Sequence, residues 1–130
     1  MKDIATLLAE PETTVAVVGA TDNPGKYGNI IYRDLKRKGF TVYPVNKNRD
    51  TVDGEKTYRS LDELPQHPTI VNVVVPPHEA LLVLEKCKEL GLDNVWLQPG
   101  AESSEVISFL EAGNFNYLAS ACIMVESRRK

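Results

Sequence analysis

The sequence predicts an α/β fold, a single doubly wound Rossmann-like domain with a five- or six-stranded, mainly parallel sheet and helices on both faces. Three observations lead there. Apolar runs rich in β-branched residues alternate with longer stretches of helical period. Those runs carry no polar alternation, so each strand is expected to be covered on both faces, as in a parallel sheet. A chain of 130 residues, 42% of them hydrophobic, is enough for one core and too short for a cofactor domain joined to a separate substrate domain. The domain is therefore expected to occupy 1–130, with a short N-terminal helix at about 2–9 and a core at about 14–126.

The first strand is read at Thr14–Val18, ending on Gly19. A helix from about Asn29 to Lys38 follows, with Ile30, Ile31 and Leu35 at helical spacing and Gly39 as its stop. Thr41–Val45 is the second strand, and the polar stretch Asn46 to Lys56 reads as a loop. Ser60-Leu-Asp-Glu63 fits a capping box opening a short helical turn that Pro65 ends. Ile70–Val75 is a further strand closed by Pro76-Pro77, with Pro77 suited to the first position of a helix that runs from Glu79 to Leu90 and stops at Gly91. Asn94–Gln98 is the next strand, Ser103 or Ser104 caps a helix to about Ala112, and Phe115–Ala119 is the last strand. Right-handed crossovers favour the order 3-2-1-4-5. The Ile70 strand then lies beside the first strand, provided that Thr57 to Leu64 supplies a short edge strand.

Charge and composition exclude several classes of function. Fifteen Lys and Arg against eighteen Asp and Glu give a formal charge of -3, so nucleic acid is not an expected partner. No apolar run approaches the roughly 20 residues of a membrane helix. Cys87 and Cys122 stand far apart without metal-like spacing, so no metal is expected. With no long apolar leader at the N-terminus, the expected compartment is the cytoplasm.

In doubly wound sheets ligands bind outside the carboxyl ends of the strands. The first such loop is Gly19-Ala-Thr-Asp-Asn-Pro-Gly-Lys-Tyr-Gly28. Gly19 permits a tight turn, and Lys26, Tyr27 and Gly28 fall where a helix N-terminus turns its free amides outward, which in physical terms is a phosphate site. Ala20, Thr21 and Asn23 belong to the same loop. A GxGxxG fingerprint fails here, since Thr21 and Pro24 stand at its second and third glycine positions. At the end of the second strand, Val45-Asn46-Lys47 and then Arg49 replace the acidic residue that would accept bonds from a ribose hydroxyl pair. Lys and Arg suit a ribose that carries a phosphate, as in NADP or coenzyme A. Val75, Pro76 and Pro77 present a rigid apolar wall without backbone donors, and His78 follows them. Gln98 and Gly100 lie just past the next strand and can line the same cleft.

Gly19-Ala-Thr21, Pro44-Val-Asn46, Tyr58-Arg-Ser-Leu61, Val75-Pro-Pro77, Val95-Trp-Leu-Gln98-Pro-Gly100 and Cys122-Ile-Met-Val-Glu126 form an ordered set from about Val15 to Glu126. This set resembles the small stand-alone CoA-binding protein family, and also the CoA-binding domain of the succinyl-CoA synthetase alpha subunit. The resemblance implies that Gly19, Ala20, Thr21, Lys26, Tyr27, Gly28, Asn46 and Lys47 hold the nucleotide and its phosphates, with Val75, Pro76 and Pro77 at the other wall. Two departures stand out: Thr21 replaces a Ser common in the family, and Ser120-Ala121 stand where an Asp-Arg pair is common.

No nucleophile with a matched base is legible. His67 reads as a solvated loop residue. Cys87 and Trp96 read as core, and Cys122 as packed beside Ile123 and Met124, although a thiol at the ligand edge could exchange with that of CoA. The synthetase's phosphorylated histidine lies in a second domain, so His78 does not inherit its role. The expected function is therefore the binding of coenzyme A or an acyl-CoA, non-catalytic and regulatory or carrier-like. The alternatives are a CoA-binding subunit of an acyl-CoA synthetase-like complex whose catalytic residues lie on a partner chain and, behind it, an NADP-binding protein. A homo-oligomer or a protein partner is compatible with either reading.

Overall fold

The computed structural model describes residues 2–130. Helix α1, Ile4–Ala9, opens at Asp3, whose side chain accepts from Thr6 N–H at 2.8 Å. Strand β1 is Thr14–Val18, helix α2 Tyr27–Arg37 and strand β2 Thr41–Val45. Next comes a small antiparallel hairpin of β3, Thr51–Val52, and β4, Glu55–Lys56. It stands where a plain loop was expected, and the reason lies in Asp53-Gly54. Both residues have positive φ, 51° and 79°, as a tight primed turn requires, and Asp-Gly is a preferred pair for it.

Beyond the hairpin come β5, Ile70–Val73, helix α3, Pro77–Leu90, and β6, Asn94–Leu97, followed by α4, Ser104–Ala112, β7, Asn116–Leu118, and a short α5, Ile123–Glu126. Helix α2 begins two residues before the expected Asn29, and α3 begins on Pro77 itself, the position proline favours. Ser103 caps α4 by accepting from Val106 N–H, and Gly91 ends α3 at φ 75°. The capping box at Ser60 does not form. Ser60 makes no capping bond, the Glu63 carboxylate accepts from Arg59 N–H at 3.3 Å instead, and only a 3-10 turn, Leu61–Glu63, results.

The five main strands form one parallel sheet in the order β2-β1-β5-β6-β7. The Ile70 strand lies beside β1, with Val15 opposite Ile70 and Val18 opposite Val73. The expected edge strand from Thr57 to Leu64 shrinks to one parallel bridge, Val45 to Tyr58, made by Tyr58 N–H to Pro44 O at 3.1 Å and Asn46 N–H to Tyr58 O at 2.9 Å. The chain then leaves the edge, because Arg59 N–H turns to Glu63 and the 3-10 turn begins.

Side-chain alternation divides the core between the two faces of the sheet. On one face Ala16, Val18, Val71, Val73, Val95 and Leu97 pack under Ala80, Leu84 and Cys87 of α3 and Val106 and Leu110 of α4. On the other, Val15, Val17, Ile70 and Trp96 pack under α1, α2 and α5 through Ile4, Leu8, Ile31, Leu35 and Ile123. Each large side chain so buried contributes about 1.5–3 kcal/mol. Trp96 and Cys87 are fully buried core residues as expected, the indole N–H donating to Ala121 O at 3.0 Å. Asn72, opposite Val17 and Trp96, is also fully buried, and neither its amide oxygen nor its amide nitrogen has a partner.

Candidate functional site

All five parallel strands end on one edge, where the segments leaving β1, β2, β5 and β6 enclose a cleft of about 1160 Å³. Its floor is set by two glycines. Gly19, at φ 108°, donates its N–H to Val45 O at 2.9 Å, and a Cβ there would meet Val74 O at 2.6 Å. A Cβ on Gly28 would lie 2.0 Å from Gly19 O, so the first turn of α2 rests directly on the loop that leaves β1. Lys26, at the cap position of α2, makes no side-chain capping bond, and Lys26, Tyr27 and Gly28 all line the cleft. The open helix N-terminus therefore gives the cleft amide donors and a favourable dipole for an anion.

The loop is held from beneath by a polar network. Thr21 Oγ1 accepts from Asn23 N–H at 3.2 Å, and the buried Asn29 amide donates to Thr21 O at 2.8 Å and to the Asp53 carboxylate at 3.2 and 3.3 Å. Asp22 accepts from Asp53 N–H at 2.5 Å and pairs with Arg49 at 2.9 Å. The β3–β4 hairpin is thus clipped to the cleft floor.

At the end of β2, Asn46 is used structurally: its amide donates to Ala20 O at 2.8 Å and its side-chain oxygen accepts from Asn48 N–H at 2.8 Å. Lys47 reaches Glu79 of α3 at 3.8 Å, across the cleft. Lys47 and Arg49 both line it. The basic end of the cleft is larger than the sequence suggested, since Arg59 and Lys86 line it as well, beside Leu61, Leu82 and Val83. Arg59 belongs to a motif singled out in the sequence. Lys86, Leu82 and Val83 lie on the helix after Pro77, and only the three-dimensional crossing of α3 over the strand ends brings them in.

Of the other expected residues, Val45, Val75, Pro76, Gln98 and Gly100 line the cleft together with Gly19, Thr21 and Asn23. Three do not. Ala20 is fully buried and offers only a carbonyl already bonded to Asn46. Pro77 is consumed as the first residue of α3. The His78 side chain is 80% exposed beyond the cleft, 4.0 Å from Glu79, because the helix turns it outward.

At the β6 end the buried Gln98 side chain orders the C-terminal segment. Its oxygen accepts from Ile123 N–H at 2.8 Å and its nitrogen donates to Cys122 Sγ at 3.4 Å. Cys122 is half-buried and lines the cleft, rather than being packed away beside Ile123 and Met124 as expected. Cys87, by contrast, is buried in the core, and burial pushes its thiol up to about 12. His67 is exposed and away from the cleft. Among the described residues no group of three or more His, Cys, Asp and Glu is placed to hold a metal ion, and no helix is long and apolar enough to cross a membrane.

The arrangement is one elongated cleft with two kinds of lining. Over β1 and β2 it offers helix amides and cations; over β5 it offers the apolar surface of Val74, Val75 and Pro76, which continues to Gln98, Pro99 and the Cys122 thiol. Such a cleft suits a long ligand, anionic at one end and less polar at the other.

Comparison with known proteins agrees with this geometry. A family model described as a CoA binding domain matches residues 13–128. The solved structure of a conserved hypothetical protein from Pyrococcus furiosus is 49% identical, covers 88% of this chain and 99% of its own, and superposes with a TM-score of 0.85. The uncharacterized protein YneT of Bacillus subtilis is 28% identical over 85% of this chain and 82% of its own length. The alpha subunit of acetate–CoA ligase [ADP-forming] II from Pyrococcus furiosus is 37% identical over 62% of this chain, and that match spans 18% of the subunit. Matches to the ligases thus cover a small part of those proteins.

Proposed function

The chain belongs to the CoA binding domain family, and from that premise we propose that it holds coenzyme A or an acyl-CoA in the cleft at the carboxyl ends of its parallel strands. The observation that carries the reading is the meeting of an open helix N-terminus at Lys26, Tyr27 and Gly28 with the cations that leave β2. The pyrophosphate lies on the amides of α2, and a ribose phosphate lies between Lys47 and Arg49. The pantetheine arm follows Val75 and Pro76 toward Gln98, Gly100 and Cys122. Binding is non-catalytic, and the protein acts in the cytoplasm as a regulator or carrier.

Calorimetry with CoA against dephospho-CoA tests the assignment. The expected result is tighter binding of CoA by about tenfold or more, since a charge-assisted contact contributes about 1.5–3 kcal/mol. Equal affinities would remove the argument from the cations. Mass spectrometry of the native protein as purified identifies the acyl group, if one is carried.

The match to a ligase alpha subunit favours a second reading, in which the domain serves an acyl-CoA synthetase-like complex whose catalytic residues lie on another chain. Affinity purification from the protein's own cell extract tests it. Recovery of a stable partner with ligase activity supports this reading, and recovery of the lone protein counts against it.

A further inference from the structure

We propose that Arg59 is a positioning residue that sets the preference for a phosphorylated ribose, by holding the Lys47–Asp50 loop in the shape that presents its two cations to the cleft. The inference rests on the CoA reading above and deepens it.

Four observations carry it. Arg59 donates from one terminal nitrogen to the backbone carbonyl of Lys47 at 2.8 Å and from the other to the Asp50 carboxylate at 2.5 Å. These two acceptors bracket the loop that contains Lys47 and Arg49, both of which line the cleft. The backbone just before Arg59 is already tied down, at Tyr58 to Pro44 and Asn46 of the same strand end and at Thr57 to the loop itself, through Thr57 N–H to Asp50 O at 2.9 Å. The guanidinium is therefore anchored at its root and spreads a planar fork across the loop, a geometry that a single ammonium does not reproduce. Finally, Asp50 is 84% exposed, so its carboxylate has no packing role that would explain the pair, and an exposed ion pair contributes little to stability. What the pair does is fix the loop.

The Asp50→Asn variant separates positioning from charge. It removes a negative charge near the basic end of the cleft, so simple electrostatics predicts tighter binding of an anion. Positioning predicts the reverse, because the fork loses its charged anchor. The experiment measures CoA and dephospho-CoA affinities of the full chain by calorimetry for wild type, Asp50→Asn, Arg59→Lys and Arg59→Gln, with the melting temperature recorded for each. The expected result is that both Arg59 variants reduce the preference for CoA over dephospho-CoA by about fivefold or more, that Asp50→Asn reduces it by about twofold to threefold, and that melting temperatures stay near wild type.

An Asp50→Asn protein that binds CoA more tightly with its preference intact overturns the proposal, as does an Arg59→Lys protein that keeps the wild-type preference. Either result leaves the CoA reading standing. A wild type that binds CoA and dephospho-CoA equally overturns both the ribose-phosphate assignment and the role of Arg59, and a wild type that binds neither overturns the site itself.

Discussion

Replacing Gly28 with Ala tests the architecture of the cleft at its most crowded point. In a helix the exchange is ordinarily favourable by about 1 kcal/mol. Here the new Cβ would lie 2.0 Å from Gly19 O, whereas contacts under 3.0 Å essentially never occur, so helix or loop must move by about 1 Å. The loop has little room to retreat: Gly19 N–H is bonded to Val45 O, and the residue already sits against Val74. Overpacking costs about 1–3 kcal/mol, and a clash with a backbone carbonyl rather than a flexible side chain puts it in the upper part of that range, about 2–3 kcal/mol, which outweighs the helix gain. The net expectation is a loss of about 1–2 kcal/mol, which lowers the melting temperature of a domain of this size by roughly 3–10 °C. The same displacement carries the amides of the first turn of α2 away from a bound phosphate, so CoA affinity falls by at least about tenfold. Urea unfolding followed by circular dichroism gives the first quantity and calorimetry the second. Gly25→Ala is the control, because its Cβ would be 3.3 Å from the movable Asn23 side chain and its backbone needs no positive φ. A Gly28→Ala protein that unfolds at the wild-type urea concentration and binds CoA as wild type does would refute the reasoning.

The remaining predictions concern the core and the two thiols. Asn72→Leu replaces a buried amide lacking partners with an apolar side chain of similar size and is expected to stabilise the protein by about 1–3 kcal/mol in urea unfolding; destabilisation would mean that the amide is satisfied after all. Iodoacetamide on the native protein is expected to modify Cys122 and spare Cys87, with CoA slowing the reaction; peptide mass mapping decides, and equal labelling would contradict the burial of Cys87. In alkaline solution the unfolded chain loses the Cys87 proton near the ordinary thiol value of 9.0, while the folded protein holds it to about 12, so the unfolded state binds fewer protons between those values. Stability is therefore expected to fall as pH rises from 9 to 12, and Cys87→Val to show a shallower fall over that window; identical slopes would dismiss the effect.

How much of this was legible in the sequence depended on whether a feature is set by local pattern or by distant contact. The strands at Thr14–Val18 and Thr41–Val45 were read to the residue, because glycines and polar turns bound their β-branched runs. The Ile70 strand ends at Val73, two residues before its apolar run predicts. Val74 makes the closing bond of the ladder, its N–H to Val18 O at 2.9 Å, and with Val75 then enters the cleft. The hairpin at Thr51–Lys56 stands in a polar stretch, Asn46 to Lys56, that reads as a loop, and the Asp53-Gly54 pair is the local signal that marks it. The glycines and the cations after β2 line the cleft, as their chain position predicts. Lys86 and Leu82 line it too, but nothing in their helical surroundings marks a residue that will arch over another strand's end. His78 is the converse: chain position predicts it at the ligand edge, whereas the phase of α3 turns its side chain outward.

The single bridge at Tyr58 also bears on how the protein behaves among copies of itself. Strand β2 forms one border of the sheet, and a bare border is a template on which another chain can add a strand. Pro44 has no N–H to offer, and its carbonyl is occupied by Tyr58, while Asn46 N–H is spent on Tyr58 O. Most of the outward-facing backbone at the carboxyl half of β2 is thus spoken for within the chain. One residue of a strand that never forms thus narrows the border open to edge-to-edge association to the amino half of β2, away from the cleft mouth.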